Sequence, residues 1–326
     1  MPVRDSDTIT IGLFDSGVGG LSVLRQLEKL PPAADGRQYR FVYVGDTARC
    51  PYGNRDAREV DQFVEEIIGW LLMHQADHIV MACNTSAALS LDHAKRVSPV
   101  PVHNLIFPTA RYLANRYKKV GVLATYSTIK SRAFSRAVRA LNPSVEVIEI
   151  ACPDLVPLVE SGFIEGEQTA HVLSKYANQL RKDSVEAVVL GCTHFPFLQN
   201  ALADLLPDSI DLVDPARMLL SEFDSRLRMD AGYDNFTPAP AQHKKLFVTG
   251  DTNSFTEAAA TCLGIGTQRL LAGSTVSGVS LDDLSVAYDR AMVARNAASE
   301  PAVTNVVVLP SVQLGETAER RSSITG

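Results

Sequence analysis

Two cysteines stand in matching surroundings. His78-Ile-Val-Met-Ala-Cys83-Asn84-Thr85 and Ala187-Val-Val-Leu-Gly-Cys192-Thr193-His194 each read as an apolar run, a small residue, a cysteine, then small polar residues opening a helix. Cysteine is commonly a small buried hydrophobe, and Cys50, Cys152 and Cys262 take that reading. Cys83 and Cys192 differ because each follows a strand at a helix start, where backbone N–H groups and the positive helix end stabilise a thiolate. A free thiol titrates at about 8.5, and this placement is expected to bring it toward neutrality. One such cysteine beside His194 would suit a thiol hydrolase. Two on equivalent loops suit another reaction. If two similar domains face each other, one thiol removes a proton from a carbon and the other delivers one to its opposite face, which inverts a stereocentre.

Helpers stand close in sequence. Asp15 ends the first strand and could hold or activate Cys83, while His194 could do the same for Cys192. Ser16, Asn84, Thr85 and Thr193 lie at helix starts, suited to an anion such as a carboxylate. Helix capping explains the same residues, and a lone histidine is often only a hydrogen-bonded structural group. Gly17-Val18-Gly19-Gly20 follows a strand, but a dinucleotide fingerprint needs a glycine where Ser22 stands, and no phosphate-binding GxxxxGK[ST] loop occurs. Neither a nucleotide cofactor nor a pyridoxal cofactor, with its Schiff-base lysine and phosphate site, is expected. The glycines instead let substrate or the opposite domain approach the backbone.

The elements that must position these residues alternate. Strand-like runs at Ile9–Phe14, Phe41–Gly45, His78–Ala82, Val102–Ile106, Val120–Ala124, Glu146–Ile150, Ala187–Gly191 and Leu246–Thr249 are separated by helical periodicity, as in Leu21–Leu30, Val60–His74 and Thr169–Arg181. This alternation predicts an α/β chain with mainly parallel sheets, whose ligands bind beyond the carboxyl ends of the strands. The two cysteine segments form a weak internal repeat, implying two similar domains that share a cleft; chance likeness of two buried strands gives the same pattern. With 326 residues, 46% hydrophobic and 21% charged, two soluble domains are expected. The formal charge of -6 and the lack of a dense basic run argue against nucleic acid. No apolar stretch approaches the roughly 20 residues of a membrane span, and the first residues lack a signal-peptide pattern. Five widely spaced cysteines without a CxxC pair argue against disulfides and structural zinc, so no metal and a reducing cytoplasm are expected. Beyond about Gly266 the chain reads as an appendage, with one helix at Leu281–Asn296 and a poorly ordered tail from about Ala297.

Phe14–Gly20, Tyr43–Thr47 with Pro51-Tyr52-Gly53, Ala82–Thr85, Ala151-Cys152-Pro153 with Pro157–Glu160, Gly191–Pro196 and Val248–Asp251 together resemble the motif set of bacterial glutamate racemase, in order and spacing over about residues 8–265. The resemblance implies cofactor-independent interconversion of L- and D-glutamate, supplying D-glutamate for peptidoglycan, by two similar α/β domains with the active site between them. It implies catalytic roles for Cys83 and Cys192, assisted by Asp15 and His194, with Glu160 as a carboxylate beside the second thiol. Substrate contacts implied are Asp15, Ser16, Pro51, Tyr52, Gly53, Asn84, Thr85, Thr193 and His194. By the same analogy 1–104 plus 215–265 form the first domain, 105–214 the second and 266–326 a partly disordered extension, and the enzyme is a homodimer. Three features depart from the family pattern: Asn104–Pro108 at the domain crossing, Cys50 beside the PYG element, and the chain after Gly266. The alternatives are a racemase of aspartate or another amino acid, or an added partner-binding role for the extension.

Overall fold

The computed structural model describes residues 7–223, 244–264 and 276–298. The first run comprises β1 (Thr8–Asp15), α1 (Leu21–Leu27), β2 (Gln38–Gly45), α2 (Ala57–Met73), β3 (His78–Met81), α3 (Asn84–Val97) and β4 (Val102–Asn104). After α4 (Ile106–Ala114) come β5 (Lys119–Ala124), α5 (Tyr126–Ser131), α6 (Ala133–Leu141), β6 (Glu146–Ala151), α7 (Leu155–Glu160), α8 (Glu167–Lys182), β7 (Ala187–Leu190), α9 (Gln199–Ala203) and β8 (Asp211–Val213). Next are α10 (Pro215–Phe223), β9 (Lys244–Val248), α11 (Thr252–Leu263), β10 (Val276–Gly278), α12 (Leu281–Ser285) and α13 (Ala287–Ala298).

The strands form two sheets, ordered β10-β9-β2-β1-β3-β4 and β6-β5-β7-β8. Every pairing is parallel. The orders 2-1-3-4 and 6-5-7-8 are the same, so β3 and β7, which lead into Cys83 and Cys192, hold equivalent places. The internal repeat is therefore real. β1 is buried from Ile9 to Asp15. Strands covered on both faces read as continuous apolar runs, which is why they stand out in the sequence. Helix α2 starts at a capping box, in which Asp56 accepts from the Arg58 and Glu59 amides and Glu59 accepts from the Asp56 amide. Its stripe of Val60, Val64, Ile67, Ile68 and Leu71 is buried, each side chain contributing roughly 1.5–3 kcal/mol of transfer free energy.

Some expected boundaries move. β4 stops at Asn104 because the Asn104 carboxamide oxygen accepts from the Ile106 and Phe107 amides, which starts α4 inside the expected strand. The expected helix Leu281–Asn296 breaks at Val286 into α12 and α13. The appendage expected after Gly266 also begins inside the domain. β10 hydrogen-bonds alongside β9 in the six-stranded sheet, and Leu284, Ala287 and Ala291 are buried. The backbone of α13 lies so close to α2 that a β-carbon on Gly69 would sit 2.2 Å from Tyr288 Cα. Of the tail expected from Ala297, residues 299–326 lie outside the described residues.

Candidate active site

The carboxyl ends of β1, β2 and β3 meet those of β5 and β7 through their loops. Asp15 ends β1 fully buried. Its Oδ2 accepts from the Gly17 amide at 2.9 Å, and its Oδ1 accepts from the Thr193 hydroxyl at 3.1 Å. Ser22 Oγ donates to the Thr193 carbonyl at 3.2 Å. The glycine loop packs tightly on the second half: a β-carbon on Gly19 would lie 2.4 Å from Thr193 Oγ1 and 2.7 Å from His194 Nδ1. No larger residue fits there.

Cys83 is the N-cap of α3, as expected, and only 5% exposed. The expected lowering of its pKa does not follow. Burial first and the Asp15 carboxylate second push the thiol up to about 12, outweighing the helix end and holding it protonated. Its sulfur donates to Ser16 Oγ at 3.9 Å. Cys192 is likewise buried, but no α-helix starts there: a 3-10 turn at Phe195–Leu198 intervenes before α9. Its neighbour is His194, with Nδ1 3.8 Å from the sulfur, while His194 Nε2 lies 2.9 Å from Glu160 Oε1. Burial alone would lower the imidazole pKa; the hydrogen bonds to Cys192 and Glu160 override it and raise it to about 10. The His194 bond lowers the Glu160 pKa. Glu160 ends α7 at the rim, its side chain 41% exposed. Cys83 feels the charge of Cys192.

The hydroxyls and amides divide between ligand-ready and engaged groups. Both polar atoms of the Asn84 carboxamide are buried without a hydrogen-bond partner. Thr85 Oγ1 lies 2.9 Å from Thr125 Oγ1 and 3.3 Å from Thr128 Oγ1, so three hydroxyls meet across the two halves. The sequence does not single out Thr125 or Thr128, although Thr125 follows β5 as Ser16 follows β1. Pro51 is exposed, whereas Tyr52 is buried with its hydroxyl donated to Asp46. That Asp46 carboxylate also accepts from Arg49 Nε at 2.7 Å and Thr249 Oγ1 at 2.8 Å, which fixes the loop. The Gly53 carbonyl accepts from Ser127 Oγ at 2.6 Å, joining the loop to the second half. Cys152 and Cys262 are buried core thiols, but Cys50 is half-buried beside the glycine loop. Among the described residues no group of three or more His, Cys, Asp or Glu side chains is arranged to hold a metal ion, and no helix is long and apolar enough to cross a membrane.

The model of the Asp/Glu/hydantoin racemase family matches residues 11–223. A glutamate racemase from Gloeobacter violaceus is 40% identical over 251 residues, 77% of this chain and 91% of that protein. The chain belongs to the Asp/Glu/hydantoin racemase family. Within the family its solved neighbours include glutamate racemase isoform RacE1 from Bacillus anthracis, at TM-score 0.72 and 29% identity, covering 84% of this chain and 98% of that one. The glutamate racemase from Francisella tularensis in complex with D-glutamate superposes with TM-score 0.71 at 27% identity, covering 85% and 99%. Both sheets of this racemase-family member thus have counterparts among glutamate racemases.

Proposed function

We propose that this chain interconverts L- and D-glutamate without a cofactor, using Cys83 and Cys192 as the two bases. The observation that carries the reading is the convergence of two equivalent strand–Cys loops, interlocked by the Thr193–Asp15 hydrogen bond, on one buried site. In this account Cys192 takes the α-hydrogen of L-glutamate while Cys83, held protonated by burial and Asp15, delivers a proton to the opposite face. For D-glutamate the roles reverse. His194, kept cationic by Cys192 and Glu160, stands beside Cys192 with its Nδ1–H directed at the sulfur.

Substrate binding follows from the remaining groups. The unpartnered Asn84 carboxamide calls for a polar ligand group, since leaving both its ends buried and unmade costs roughly 1–3 kcal/mol each. Asp15 and Ser16 face the first thiol and suit an ammonium group; Thr85 and Thr193, with the Pro51-Tyr52-Gly53 backbone, suit carboxylates. The buried surroundings strengthen these interactions as negative charge develops at the α-carbon. By the same reading the D-glutamate feeds peptidoglycan synthesis in the cytoplasm, and the enzyme acts as a homodimer. The test is circular dichroism of L-glutamate, D-glutamate and L-aspartate with protein and no added cofactor. Loss of optical rotation from both glutamates supports the proposal; turnover of aspartate in preference to glutamate contradicts it.

A further inference from the structure

Racemisation by two thiols leaves the enzyme changed. After L-glutamate becomes D-glutamate, Cys192 holds a proton and Cys83 lacks one, so the free enzyme must reset before the next L-glutamate binds. Both cysteines are buried, at 5% and 7% exposure, so neither thiol trades protons freely with water. The second half has a visible way out: once Cys192 is protonated, the cationic His194 beside it can hand its Nε2 proton to the exposed Glu160. The first half has a matching line of groups. Ser16 Oγ accepts from Cys83 Sγ at 3.9 Å, and the half-buried Cys50 has its sulfur beside Gly17, the residue next to Ser16. The two lines end side by side: a β-carbon on Gly17 would lie 3.3 Å from Glu160 Oε1 and 3.4 Å from Cys50 Sγ.

We propose that Cys50 is a proton-relay residue that reloads Cys83 through Ser16 while the enzyme is empty. The inference rests on the two-thiol reading above. In the step, the Ser16 O–H bond breaks as a Cys83 S–H bond forms, and the Cys50 S–H bond breaks as the Ser16 O–H bond is remade. Cys50 then takes a proton from water at the rim, and Glu160 returns one to water, so the balance closes without an outside reagent. Burial raises both the Cys50 and the Cys83 thiol above the ordinary cysteine value. The relay works only between turnovers, because bound substrate occupies Ser16.

A slow reset has a kinetic signature that a structural defect lacks. It lowers kcat, which includes recovery of the free enzyme, but spares kcat/KM, which is set at low substrate when recovery keeps pace. For full-length Cys50→Ala the expected result is kcat down by about tenfold or more with kcat/KM within about twofold. In an equilibrium mixture of labelled enantiomers, an excess of unlabelled L-glutamate should transiently drive label out of balance with the variant. Cys50→Ser, whose hydroxyl also passes protons, should recover most of kcat, and both variants should melt like the parent. Unchanged kcat, kcat/KM falling in step with kcat, undisturbed label, or a serine variant as slow as alanine would each overturn the relay. The two-thiol reading fails separately, if Cys83→Ala still racemises; an inactive Cys83→Ala beside a normal Cys50→Ala sinks the relay alone.

Discussion

Replacing Thr193 with valine removes one hydroxyl and keeps the shape, so its effect isolates the hydrogen bond between the two halves. Thr193 Oγ1 donates to Asp15 Oδ1 at 3.1 Å, and the Asp15 side chain is fully buried. Without it that oxygen loses its donor, while Oδ2 keeps only the Gly17 amide at 2.9 Å. Hydrogen bonds to charged groups are worth about 1.5–3 kcal/mol, and at about 1.4 kcal/mol per factor of ten the loss is roughly 10- to 100-fold. If Asp15 and Thr193 set the geometry of both catalytic loops, the loss appears in kcat/KM. Substrate and product are enantiomers of equal free energy, so kcat/KM must fall by the same factor from L- and from D-glutamate. Circular-dichroism progress curves from each enantiomer, alongside a melting curve, measure this directly. A Thr193→Val enzyme that melts normally and keeps kcat/KM within about twofold would refute the reasoning and return Thr193 to a capping role.

Glu160→Gln should move the NMR titration midpoint of the His194 imidazole down from about 10, because the carboxylate is one of the three groups, with Cys192 and Asp15, that raise it. His78 Nδ1 lies 3.1 Å from His103 Nε2, and burial lowers both, His103 to about 4. The folded state thus favours the neutral pair. Its contribution to stability is complete above about pH 6.5, the unfolded value, and is lost as pH falls toward 4, so the stability difference between wild type and His103→Asn should shrink over that window in urea titrations. Truncation after residue 298 should leave racemisation largely intact, whereas truncation after 265 removes β10 and uncovers α2 at Gly69 and should lower the melting temperature sharply; equal behaviour of the two would contradict the packing of α13.

The sequence exposes those parts of the molecule whose physics is local. Strands buried on both faces, such as β1, appear as apolar runs, and the residue after each strand marks the cleft, which singles out Asp15, Cys83 and Cys192. Other parts depend on partners distant in the chain. Thr125 looks like, and is, the N-cap of α5, and its place in the site comes from Thr85, forty residues earlier. Cys50 reads as core because its spacing says nothing of the glycine loop it faces. β10 is three residues long, too short for any periodicity to show. The expected lowering of the Cys83 pKa fails because a helix start is visible in the sequence, while full burial beside Asp15 is not.

The central claim is that two thiols divide the two faces of one carbon between them, and solvent exchange without inversion tests it most directly. Cys83→Ala and Cys192→Ala enzymes would be incubated in heavy water with each enantiomer, following deuterium at the α-carbon by NMR and configuration by chiral chromatography. The account predicts no racemisation by either variant. It also predicts slow deuterium incorporation with retained configuration into L-glutamate by Cys83→Ala and into D-glutamate by Cys192→Ala. Near-normal racemisation by either variant would contradict it, because one remaining thiol cannot serve both faces.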